Sequence, residues 1–421
     1  MAIENKNIFF IIFLLVVISF SWFAYQPNEV VIKGPYFPQM DYFIEELEQI
    51  SKSENIKISY IPVSDIETYL IETNESDTDL ALIPNPQGVV NLGERGIAKP
   101  IENSIDKAII EDRFPSHLLE ITTSKKKNIN YGVWFRLIPN SLVWYDVEKF
   151  KSIGSPNFNS YEEMVLFTKE ISSSGNHLWC LDIESGASTG WIATNWLEDL
   201  ILHQQGPEIY DQWSNQEIVS GSDEITLSIL DIGKLIFIKD AVFGGNKRIV
   251  RKEFRNNYKN LTDENNSCIF SWSGHFASSY FPKDKEYGID YDFFKFPSLN
   301  NKEAMVGIGD ALIVINESKE SRKVLNALIS NDFGKSWLSK NDSTYISANM
   351  NSEISTLTNQ QTIKETGLIK KSLESNLFRY DASELMERRI GSDALWYAMF
   401  KYIELTSLYI DEVTEELDFS Y

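Results

Sequence analysis

The residues best suited to chemistry lie between Trp179 and Asp199, where Glu184, Ser185 and Gly186 end a strand-like run and Trp191 opens a Trp-rich helix. The first turn of a helix presents unpaired backbone N–H groups at the positive end of a dipole, so it grips oxygen atoms. Hydrogen-bonding groups beside flat apolar faces such as Trp191 and Trp196 suit a sugar, which carries hydroxyls on its rim and C–H groups on its faces. Gly186-Ala187-Ser188-Thr189-Gly190 also matches G-x-S-x-G between a strand and a helix, the context of a nucleophile elbow. A serine nucleophile needs a histidine base and an oriented acid. His203 falls several turns into the following helix, out of reach of Ser188. His275 fits the chain order, but no HGGG-type oxyanion motif accompanies it. A ligand-binding turn is the preferred reading, and a serine hydrolase using Ser188 is the alternative. Glu184, Asp310 and Asp381 are candidate carboxylates for a glycosidase. Ionised carboxylates also hold sugar hydroxyls as plain acceptors, and that reading is favoured because no glycosidase motif is present. Trp272 and Trp191 each adjoin Gly or Ser at a strand–turn junction and are the candidate stacking faces, whereas Trp144, Trp196 and Trp337 read as core. In Phe378-Arg379-Tyr380-Asp381, Arg379 either pairs with Asp381 or offers a donor to a ligand.

These side chains need a scaffold, and the hydrophobic pattern supplies one. Val30 to Ile32, Ile56 to Ile61 and Asp79 to Ile83 read as strands. Asp41 to Ser53 and Ile66 to Glu72 read as helices, the first with Phe43, Leu47 and Ile50 on one stripe. Alternation at this pace predicts a mostly parallel α/β sheet. Ligands of such sheets sit beyond the carboxyl ends of the strands, which places three loops at the ligand edge: Gly34 to Met40, Pro84 to Gly88, and the turn after Glu184. Tyr131 to Tyr145 is a long extended run broken at Pro139-Asn140, long enough to cross between two lobes. Tyr161 to Ile238 is mainly helical with a strand near Leu178. Ile269 to Trp272, Phe294 to Pro297 and Ala311 to Ile315 read as strands, the last following a turn at Gly307 to Asp310. The final ~90 residues read as helices.

At 421 residues the chain exceeds one ordinary core, so two lobes are expected. A formal net charge of −22 disfavours nucleic acid and anionic lipid as partners. Lys6 precedes an apolar run from Ile8 to Val17, loosely extended to Ala24, which reads as a signal peptide or an uncleaved anchor. In an exported chain Cys180 and Cys268 either form one disulfide or stay as two buried thiols. A bridge would close a loop of roughly 90 residues and stabilise by ~4 kcal/mol. Without CxxC, HxH or HExxH, and with four His in all, no metal site is expected.

Taken together, the motifs resemble the family-1 solute-binding proteins of sugar ABC importers, in particular the α-glucoside type. Trp179-Cys180 through Glu184-Ser185-Gly186 to Thr189-Gly190-Trp191, then Thr194, Trp196 and Glu198-Asp199, is similar to that family's signature, and Gly206-Pro207 to Tyr210 and Trp213 continue it. Val143-Trp144-Tyr145 resembles the inter-lobe crossing strand. Gly309-Asp310 and Arg379-Tyr380-Asp381-Ala382-Ser383 to Met386 resemble the late motifs, with Glu384 and Glu387 where Asp and Pro are expected.

The resemblance implies an α/β fold of the periplasmic binding protein-like class II, with two lobes joined by a hinge and the ligand cleft between them. Residues 1–26 would be the signal peptide or anchor, 27–137 with 305–345 the first lobe, and 138–304 with 346–421 the second. It implies a non-enzymatic monomer without cofactor. That monomer would capture a small neutral sugar or glucoside (trehalose, sucrose, glucosylglycerol or another α-glucoside) in the periplasm and deliver it to ABC permease subunits. A lipid-attachment Cys is missing, which favours a Gram-negative-type periplasm. Asp310, Asp381 and Glu184 would accept from sugar hydroxyls, Arg379 and Arg136 would donate, and Trp191 and Trp272 would stack. Asn85 and Gln87 would contribute from the first lobe, with Tyr36, Tyr145 and Ser188 completing the set. Cys180 and Cys268 resemble a cysteine pair of related sequences, which supports the disulfide.

Overall fold

A computed structural model describes residues 28–73, 77–265, 268–299 and 302–418. The segment read as a signal peptide or anchor lies outside them. Among the described residues no helix is long and apolar enough to cross a membrane.

Three short strands, β1 (Glu29–Gly34), β2 (Lys57–Pro62) and β3 (Leu80–Ile83), pair in parallel around β1. Val30 and Ile32 of β1 and all four residues of β3 are buried. Between β1 and β2 runs the helix Met40–Glu54, which buries Phe43, Leu47 and Ile50 at i, i+4 and i+7. Asn85 caps the helix Pro86–Glu94 by accepting from the Gln87 and Gly88 amides at 2.9 and 3.4 Å, and Pro86 starts that helix at no hydrogen-bond cost.

After two two-residue strands, β4 (Thr123–Ser124) and β5 (Ile129–Asn130), the chain forms β6 (Gly132–Pro139) and, past Asn140 and Ser141, β7 (Leu142–Asp146). β7 lies between β8 (Phe270–Ser273) and β9 (Tyr291–Lys295) in an antiparallel three-stranded sheet. β10 (Met305–Val314) returns to the first sheet and β11 (Phe378–Tyr380) joins it late. β10 pairs with β6 and β3 in antiparallel fashion and with β11 in parallel. The first sheet is therefore mixed rather than mostly parallel. The segment 346–421, otherwise helical or irregular where described, contributes β11 to it.

The turn expected at Gly307 to Asp310 is not there, because β10 runs through it unbroken. Those glycines answer to crowding. A Cβ on Gly307 would stand 2.7 Å from the Ile138 carbonyl, and one on Gly309 would stand 2.3 Å from that of Arg136. Asp310 faces Arg136 across the pair, at a β-bulge between Asp310 and Ala311.

Cys180 and Cys268 form a disulfide, with Cα atoms 5.7 Å apart. It reinforces a contact already made by the backbone, since the Cys180 amide donates to the Phe270 carbonyl at 2.8 Å.

Candidate functional site

The carboxyl ends of the three parallel strands open onto one cavity of about 760 Å³, within the range of small-molecule sites. Pro35 follows β1, Ser64 and Asp65 follow β2, and Pro84 and Asn85 follow β3. All five line the same wall. The opposite wall comes from the turn Ala187–Thr189 and from the late chain between Ser383 and Tyr397. The three loops expected at the ligand edge thus meet in one place.

The turn itself is tied up locally. Glu184 accepts from the Gly186 amide at 2.7 Å, and Thr189 Oγ1 accepts from the Ser185 amide at 3.0 Å while donating to the Gly186 carbonyl at 2.8 Å. Gly190 then takes φ 121°, and a Cβ there would stand 2.0 Å from the Trp396 carbonyl oxygen. A glycine is required because another stretch of backbone lies against it. The chain at Trp396 therefore packs against the start of the helix Trp191–Leu200. The turn Ala187–Thr189, rather than that helix's first turn, faces the cavity.

Behind this wall sits a cluster of buried acids. Asp381 caps the short helix Ala382–Leu385, accepting from the Glu384 amide at 3.2 Å and from Ser383 Oγ at 2.7 Å. Glu198 accepts from the Ser383 amide at 3.2 Å. Burial drives the Glu198 carboxyl well above its usual range, and the neighbouring Asp381 pushes the same way. Asp381 is raised by burial too. Each carboxyl is thus held toward its neutral form, chiefly by burial. Burial pushes Asp199 up to about 7 and Glu384 up to about 7, the latter helped by Asp381. Tyr210 donates to the Tyr380 carbonyl at 2.9 Å. The Tyr380 hydroxyl in turn lies 2.6 Å from the carbonyl of Pro84, which it thereby positions on the cavity wall.

Of the expected ligand residues, Asn85 and Ser188 line the cavity, Glu184 anchors the turn and Asp381 stands just behind the wall. Tyr36 is 74% exposed beside Pro35. Trp191 is half-buried against Phe276 and Phe254, with centroids at 4.9 and 5.6 Å.

Other expectations are corrected. Trp272 is 1% exposed, stacked between Phe296 at 4.6 Å and Trp196 at 5.6 Å, so no sugar reaches its face. Arg379 grips both carboxylate oxygens of Asp211 at 2.6 and 3.0 Å instead of pairing with Asp381, and it faces a separate cavity together with Gln87. Arg136 is paired with Asp310 and stacked 4.3 Å from the Phe37 ring, so both charges are consumed internally. Tyr145 donates to Asp292 at 3.2 Å and stacks on Phe150 at 4.1 Å, on the three-stranded sheet. The sequence reading missed the late wall residues Arg388, Ser392, Asp393, Trp396 and Tyr397. The available signal was the Trp396-Tyr397 pair at the head of a helix.

Among the described residues no triad forms around Ser188. His203 bonds Ser298, and His275 bonds Glu365 at 2.8 Å. Among the described residues no cluster of His, Cys, Asp and Glu could hold a metal ion.

No protein-family model matches the chain. It is 25% identical over 388 residues to the alpha-glucosides-binding periplasmic protein AglE of Rhizobium meliloti, covering 89% of this chain and 81% of that one. To the osmoprotective compounds-binding protein GgtB of Synechocystis it is 24% identical over 381 residues, covering 89% of each. Its fold matches that of the bacterial solute receptor AcbH with a TM-score of 0.68 at 16% identity, covering 91% of this chain and all of that one. The chain thus has the fold of a solute receptor, is similar in sequence to two solute-binding proteins, and carries a cavity lined from two sides.

Proposed function

We propose that the chain captures a small, neutral, glucosyl-containing solute in the 760 Å³ cavity and passes it intact to an ABC permease. One observation carries this reading. The loops after β1, β2 and β3 and the wall 187–189 with 383–397 line the same space, so a ligand there touches both sides at once. Contacts made only when the two sides approach would favour a closed state. The names of the two relatives, an α-glucoside binder and an osmoprotectant binder, support a glucoside as the cargo.

The hinge in this reading lies where the chain passes between the sheets. Ser141, between β6 and β7, accepts from the Val306 amide at 2.8 Å and donates to Asp199. Both passages are thereby tied to the helix Trp191–Leu200. The two lobes are 27–137 with 305–345 and 138–304 with 346–421, β11 being a loan from the second to the first sheet. The protein acts as a monomer outside the cytoplasmic membrane. The disulfide suits an oxidising compartment, and one relative is described as periplasmic.

A thermal-shift screen against trehalose, sucrose, glucosylglycerol, maltose and methyl α-glucoside tests the proposal. Saturable stabilisation by at least one is expected. A flat response across the panel would overturn it.

A further inference from the structure

The late wall of the cavity is built unlike the rest. Arg389–Leu395 winds as a π-helix and runs directly into the long helix Trp396–Asp418. Wide turns of this kind are uncommon and recur at functional sites. This one is locked at two points. A Cβ on Gly391 would stand 1.9 Å from the Ser383 carbonyl, and one on Gly190 would stand 2.0 Å from that of Trp396. Two glycine contacts, one to the short helix Ala382–Leu385 and one to the turn before Trp191, hold the segment against its neighbours.

The polar groups of the two walls also differ in their commitments. On the first wall, Asp65 accepts from the Thr68 amide at 3.1 Å and Glu67 accepts from Asn91 at 2.5 Å, so both serve their own lobe. On the late wall, the Arg388, Ser392 and Asp393 side chains have no hydrogen-bond or ion-pair partner among the described residues, and all three line the cavity. Beside them Tyr397 lines the same space while 60% exposed. A cation, an anion and a hydroxyl are therefore free around an exposed aromatic ring. This set matches a neutral polyhydroxylated group, whose hydroxyls both donate and accept and whose C–H face covers a ring.

We infer that Arg388, Ser392, Asp393 and Tyr397 form a second subsite that binds the part of the ligand beyond its glucosyl ring, a neutral polyol or second sugar. The inference rests on the cavity being the glucoside site. It makes this wall the determinant of which glucoside is taken, while the loops after β1, β2 and β3 hold the common ring.

The test is calorimetric titration of the full chain with methyl α-glucoside, trehalose, sucrose and glucosylglycerol, for wild type, Tyr397→Ala and Asp393→Asn. Wild type should bind at least one of the three larger ligands fivefold or more tighter than methyl α-glucoside. Both variants should lose most of that advantage, weakening the preferred larger ligand by a larger factor than methyl α-glucoside. Both side chains are exposed, so melting temperatures should stay within about two degrees, which removes misfolding as an explanation. Equal binding of large and small ligands by wild type would overturn the subsite, as would variants that weaken all ligands alike or none. Failure of wild type to bind any of the four would instead overturn the reading of the cavity itself.

Discussion

Replacing Trp272 separates a core role from a ligand role. Its indole is stacked between Phe296 and Trp196, its N–H donates to Asp199 at 2.6 Å, and its carbonyl accepts from the Trp196 indole at 3.0 Å. Trp272→Ala should cost about 3–5 kcal/mol, the usual loss for a buried aromatic. Trp272→Phe is more telling because it keeps most of the apolar contact and removes only the donor. That donor favours the ionised form of Asp199, whose pKa burial nevertheless raises to about 7. Folded Asp199 binds its proton more tightly than the unfolded carboxyl does. Its contribution to stability is therefore full below about pH 4 and lost as pH rises through about 7. Without the indole donor the folded pKa rises further, so the variant loses more at high pH. At pH 8, where wild-type Asp199 is largely ionised, the loss should approach about 1.5–3 kcal/mol, the worth of a hydrogen bond to a charged group. At pH 5.5 Asp199 is protonated in both proteins and the cost should fall to about 0.5–1.5 kcal/mol. Chemical denaturation at the two pH values reads this difference, and titration with a bound glucoside should show unchanged affinity. An equal cost at both pH values would refute the Asp199 argument. Weakened affinity with intact stability would return Trp272 to the ligand.

Cys180→Ser should lower stability by up to about 4 kcal/mol, because the bridge closes a loop with a sequence separation of 88. Reduction of the wild type should produce the same shift in denaturation midpoint, and Cys268→Ser added to Cys180→Ser should add little. Gly391→Ala forces a methyl group against the Ser383 carbonyl and should cost about 1–3 kcal/mol by overpacking. Gly367→Ala, inside the helix Gln360–Glu374 with nothing near its Cβ position, should gain about 0.5–1 kcal/mol. Differential scanning calorimetry of the pair checks both signs.

What could be read from the sequence divides along a physical line. Local rules worked where the cause was local. The stripe Phe43, Leu47, Ile50 announced its helix, and the βαβ alternation put three loops at one edge where they line one cavity. Long-range pairings stayed hidden. Nothing near Arg379 names Asp211, 168 residues away, and nothing near Arg136 names Asp310, 174 residues away. Trp272 misled because its neighbours Ser273 and Gly274 look like a turn. Yet the β7–β8 pairing buries the strand, and Gly274 is small because a Cβ would stand 2.6 Å from Asn140 Oδ1. Gly307 and Gly309 misled in the same way, since glycine at a close approach and glycine in a turn are one letter. The late wall was missed because a π-helix has no sequence period of its own, and its glycine contact at Gly391 is visible only once Ser383 lies beside it.

The most direct test is titration of the chain with the best-stabilising glucoside in a calorimeter, followed by recovery of the ligand and its identification by NMR. The account predicts one saturable site, stabilisation of about 3–4 kcal/mol at a hundred- to thousandfold excess over Kd, and the sugar returned unaltered. Hydrolysed or rearranged sugar in the recovered fraction, or heat signals that never saturate, would contradict it.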